Sequence, residues 1–239
     1  MKWEIQINGD TLDLKELSKS LVDDDLRILE KSGQYFLESN RFKGLAESEE
    51  VESLAADILK VLTGAVRLSL GGRTPLSVAS ITGVKPDGRR VGFVTVSETI
   101  SARETYECEI TRLDGTKEVM HPAHSVQAWI TYGLTDQSVA KVLRLFGADK
   151  LDWVDLYRLY EVIEKDVGLD KIASKGWATK TSIRRFKHTA NSPEAVGDDS
   201  RHGKESTTPP SDPMDIGEAR ALVELISHNW LRSKIEVVG

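Results

Sequence analysis

The sequence predicts an α+β fold, with a mainly antiparallel sheet and one or two helices over residues 1–120, followed by an all-α bundle over residues 121–239. Two observations set this division. Before residue 120 most apolar residues alternate with polar ones in short runs, whereas after it they recur every three or four positions. Turn dipeptides, Asp87-Gly88 and Asp114-Gly115, separate the short runs, and helix starts and stops punctuate the second half.

In order along the chain, Trp3, Ile5 and Ile7 alternate with Glu4 and Gln6, the period of a half-buried strand. "LDLKELSKSL" reads as a short helix. "LRILEKSGQYFLES" holds two alternating runs around Ser32-Gly33, where glycine supplies the positive φ of a tight turn, so a hairpin is expected. From Ser48 to about Leu70, Val51, Leu54, Ala55, Ile58, Leu62 and Ala65 form one stripe of an amphipathic helix. Ser48 with the acidic residues behind it marks the start, and Gly71-Gly72 the stop. "LSVASITGV", "RRVGFVTVSETI" and "RETYECEITRL" are strand-like runs.

The second half reads as helices. "SVQAWITYGL" is one, and "DQSVAKVLRLFG" another with Asp136 as its cap. Trp153, Leu156, Tyr157, Tyr160, Ile163 and Val167 share a helical face that ends at Gly168. "TKTSIRRFKHTAN" is a further helix, closed by Ser192-Pro193 because proline disfavours helix in the residue before it. A long polar loop is expected over 191–213. Asp215 and Glu218 then form a capping box, with Met214 placed to staple onto Ala219 ahead of the stripe Ala219, Leu222, Val223, Ile226 and Trp230.

Composition narrows the functional classes. A net charge of -6 creates no chain-wide field that would gather nucleic acid or an anionic membrane, so such binding requires a local patch. Cys108 is the one cysteine, which excludes an intramolecular disulfide and points to a reducing, cytoplasmic home. No secretory leader or membrane-spanning run is visible, so no membrane partner is expected. "SLGGRT" lacks the earlier glycine and the lysine of a phosphate-cradling loop, and GxGxxG and GxSxG do not occur, so no cofactor is expected. His121 and His124 in "HPAH" have no indicated third ligand and read as a domain junction, which leaves no metal site. Cys108 lies between Glu107 and Glu109, whose charge disfavours a thiolate. The stripe of Trp153, Tyr157 and Tyr160 is accompanied only by Arg158 and Lys165, so core packing is favoured over stacking on bases.

The candidate site is a helix end and the loop after it. Arg184, Arg185, Lys187 and His188 crowd one helix terminus, Asn191 closes it, and Arg201-His202 lie in the loop. If the loop folds back, His188, Arg201 and His202 form a set suited to metal-independent phosphodiester cleavage. In that chemistry an imidazole takes or gives the proton and a guanidinium stabilises the phosphorane charge. Arg184, Arg185, Lys187 and Asn191 would grip phosphate. The alternative is that these cations complement the helix dipole beside a solvated connector, whose Pro209, Pro210 and Pro213 suit an extended tether.

The order "LDWVDLYRLYEVIE", "RRFKHTAN", "SRHG" and "PMDIGEARALVELISHNWL" resembles bacterial proteins of similar size. Over residues 136–235 it is also similar, more loosely, to the HEPN family of helical bundles found in toxins, abortive-infection systems and RNA-cleaving defence proteins. That family's signature is an arginine and a downstream histidine a few residues apart; here Arg201 adjoins His202, and three residues separate Arg184 from His188. The resemblance implies either a binding scaffold or regulatory component in a defence or stress setting, or a ribonuclease. The expected partners are another protein, RNA, or a second copy through the C-terminal helix, where Trp230 and Leu231 extend the apolar face.

Overall fold

The computed structural model describes residues 2–23, 25–72, 74–85, 87–94, 108–111, 117–120, 122–148, 150–197, 200 and 210–236. The fold is α+β, a five-stranded antiparallel sheet followed by a helical region. The chain divides into two compact units, Met1–Thr131 and Tyr132–Gly239. No helix of the described residues is long and apolar enough to cross a membrane.

In the first unit, alternation sets the sheet. Strand β1 (Lys2–Asn8) buries Trp3, Ile5 and Ile7 and leaves Glu4 and Gln6 half-buried. β2 (Leu26–Lys31) and β3 (Gln34–Ser39) form the expected hairpin, turning through Ser32 at φ 53° and Gly33 at φ 77°. β4 (Ser77–Val84) and β5 (Arg90–Val94) pair across the Asp87-Gly88 turn, with the Asp87 carboxylate accepting from the Arg89 amide. The spatial order is β2-β3-β1-β4-β5, every neighbouring pair antiparallel. β6 (Cys108–Thr111) and β7 (Lys117–Met120) make a separate two-stranded ladder. The expected Asp114-Gly115 turn and the strand-like residues 95–107 lie outside the described residues.

Helix α1 (Thr11–Ser20) packs on β2, capped by the Asp10 carboxylate, which accepts from the Leu12 and Asp13 amides. Helix α2 (Ser48–Leu70) packs on β4, and its Val51, Ala55, Ile58, Leu59 and Leu62 are all buried. Ser48, the expected cap, is instead its first helical residue. Glu47 holds the cap position without a side-chain bond, and the Ser48 hydroxyl turns to the Glu49 carboxylate. Glu49 and Glu50 complement the helix dipole instead. Gly71, at φ 62°, ends the helix, and a Cβ on Gly72 would lie 2.4 Å from Val66 Cγ1 and 2.6 Å from an Asp13 carboxylate oxygen. Both glycines are therefore demanded by backbone shape and space.

The chain returns from α2 through Pro75, and the Leu76 amide donates to Thr63 Oγ1 at 3.0 Å, while that hydroxyl donates to the Leu59 carbonyl at 2.8 Å. Thr63 is buried, so its hydroxyl is the acceptor that makes burial of the Leu76 N–H tolerable.

The second unit is built on helical stripes. Helix α3 (Pro122–Gly133) leads into it, beginning at Pro122 within the segment read as a junction, since proline suits the first helical position. α4 (Gln137–Phe146) is capped by Asp136, as expected, through the Ser138 and Val139 amides. α5 (Trp153–Val167) buries Leu156, Tyr157, Tyr160 and Ile163, so the aromatic stripe is core. Gly168, at φ 79°, ends α5 and opens α6 (Leu169–Ser174), a short helix the periodicity does not reveal. α7 (Lys180–Ala190) comes next, then α8 (Pro193–Val196), a single turn inside the segment expected to be loop. Pro193 closes α7 and, at the first position of α8, also starts a new turn. α9 (Ile216–Glu236) buries Ala219, Val223, Ile226 and Trp230 and packs on α5.

A charged network ties α9 to its neighbours. Trp230 Nε1 donates to Asp166 at 2.8 Å, and Lys234 Nζ donates to Asp166 at 3.1 Å and to Asp136 at 3.2 Å. Burial opposes ionisation of Asp136, but the capping amide of Val139 and the Lys234 ammonium outweigh it and hold the carboxyl below its usual range.

These contacts have two measurable outcomes. Thr63→Val leaves the Leu76 N–H buried without an acceptor and costs about 1–3 kcal/mol in urea unfolding, with Thr63→Ser retaining most of the stability. A carboxyl with a depressed pKa adds stability above its unfolded value, about 3.9, and loses it as pH falls through the folded value. Unfolding midpoints measured from pH 6 down to about 3 should therefore fall more steeply in the parent than in Asp136→Asn, which keeps a capping side chain without the titrating charge.

Candidate functional site

The basic helix end singled out by the sequence is α7, and its orientation is set by its stripe. Ile183, Phe186 and Ala190 are buried, which turns Arg184 and His188 outward to solvent and leaves Arg185 and Lys187 on the flanks. Phe186 is the centre of an aromatic cluster, its ring centroid 6.3 Å from Trp153, 5.9 Å from Tyr157 and 5.8 Å from Tyr160. That packing fixes the direction in which each basic side chain leaves the helix.

Arg185 is committed to the returning chain. Its Nε donates to the Asp212 carbonyl at 2.8 Å, Nη2 to the Pro213 carbonyl at 3.1 Å, and Nη1 and Nη2 to the two Glu218 carboxylate oxygens at 3.2 and 3.0 Å. The Asp212 carboxylate adds an ion pair at 3.2 Å. Glu218 meanwhile completes the expected capping box: its carboxylate accepts from the Asp215 amide at 3.0 Å, and its own amide donates to Asp215 Oδ1 at 2.8 Å. The hydrogen bond from Arg185 lowers the Glu218 pKa, and the same bond raises that of Arg185. One guanidinium thus fastens α7, the end of the connector and the start of α9.

A second fastening lies one turn on. Thr189 Oγ1 donates to the Arg185 carbonyl at 2.9 Å and accepts the Met214 amide at 3.1 Å, with Thr189 and Met214 both buried. Asn191 closes α7 by donating its amide to the Lys187 carbonyl at 2.7 Å. Lys187 Nζ sits 3.2 Å from both oxygens of Glu164, which also accepts the Tyr160 hydroxyl at 2.6 Å. Burial and then the hydrogen bond to Glu164 push the Tyr160 pKa up, so the phenol stays a donor.

Of the residues expected to grip phosphate, Arg185, Lys187 and Asn191 are turned to internal partners, and Arg184 is exposed. Of the expected catalytic trio, His188 is exposed on α7, and Arg201 and His202 lie outside the described residues. Trp230 and Leu231, expected to carry the apolar face of α9 to a second copy, are fully enclosed within the chain, because the stripe continues through them into the core. Among the described residues no three of His, Cys, Asp or Glu gather in a metal-holding group. The sequence reading missed Glu164 and Tyr160 as partners of the basic end; their i, i+4 spacing on α5 was the available signal. It also missed a shallow cleft of about 450 Å³ beside α4 and α5, lined by Lys141, Arg158, Glu161, Val162, Glu164 and Lys165. Its three cations face two carboxylates, a near balance that selects no ligand charge. Compared with known proteins, the chain matches no family model, no curated protein and no solved structure.

The anchor makes a measurable claim. Thr189→Val strands the buried Met214 N–H, costs about 1–3 kcal/mol, and speeds limited proteolysis between residues 192 and 213. Arg185→Ala speeds the same cleavage, and Arg185→Lys fails to restore resistance because an ammonium cannot reproduce the fork to Glu218 and two carbonyls.

Proposed function

We propose that this protein is a binding or regulatory component whose C-terminal bundle is a non-catalytic scaffold, working in the bacterial defence or stress setting to which the HEPN resemblance points. The observation that supports this reading is the use of Arg185. A guanidinium that grips the phosphate of an RNA substrate must keep donors for it. Here Nε, Nη1 and Nη2 all serve carbonyls and carboxylates of the chain itself. Lys187 is likewise neutralised by Glu164. The basic end of α7 accordingly works as a fastening, and recognition falls to the surfaces around it.

A second reading, metal-independent RNA cleavage by His188, Arg201 and His202, has its own support. The segment bearing Arg201 and His202 leaves α7 through α8, which packs back on that helix, and rejoins it at Met214. Both flanks are thus fixed near the helix that carries His188, the arrangement a folded-back loop requires.

The two readings separate in one assay. The full chain is incubated in EDTA with labelled single-stranded and double-stranded RNA. The expected result is intact RNA, with Arg201→Ala and His202→Ala indistinguishable from the parent. Cleavage that both substitutions abolish at unchanged melting temperature replaces the scaffold reading with the nuclease one.

A further inference from the structure

We draw no further inference here: the strongest candidate, the exposed face of α9 on which Ala221 and Leu225 lie one turn apart, is an apolar surface with nothing in the structure to show what covers it.

Discussion

Each unit is closed by a buried threonine hydroxyl. Thr63 in α2 and Thr189 in α7 both donate to the carbonyl four residues back, and both accept an amide from a chain segment returning to the helix, Leu76 in one case and Met214 in the other. The hydroxyl is suited to this because one oxygen can donate and accept at once. Without it, each returning N–H would be buried with nothing to bond, and the segment would have to lift off the helix. The next element of each unit is placed by its contact: β4, paired with β1, begins at Ser77, and the Asp215 cap of α9 comes directly after Met214.

The electrostatics of the second unit serve the same closure. Asp136 caps α4 and holds Lys234 of α9, Asp166 of α5 holds both Lys234 and Trp230, and Arg185 holds Glu218. Exposed pairs of this kind contribute little singly, and they matter here as a network that sets where each helix lies. The first unit differs. There two cations, Arg27 and Lys31, share one carboxylate, Glu38, across the β2–β3 hairpin, and hold it ionised against the cost of burial.

Elements whose signals are local were legible in the sequence. The β2–β3 hairpin was readable from Ser32-Gly33, the α5 face from Trp153 to Ile163, and the α9 start from Asp215 and Glu218, each within a few residues. α6 was not, since six residues are too few to establish a period, and α8 was not, since Pro193 signals a stop and a start alike. The candidate site was legible only as composition. That Arg185 is spent on partners 27 to 33 residues away depends on where the chain returns, which no spacing encodes. The contact between Arg27 and Glu38 is made by strand register, which brings together residues that look unrelated along the chain.

The two threonine contacts share one more trait. Each accepted amide belongs to the residue immediately after an exposed proline, Pro75 before Leu76 and Pro213 before Met214. Proline stiffens the approach and has no N–H of its own, so the next position must supply it. Moving either imino acid one place toward the C-terminus would delete the donor while leaving the amino-acid composition unchanged. Across diverging versions of this chain, residues 76 and 214, both buried, should stay among the apolar side chains yet exclude that single one, even where its neighbours are rich in it.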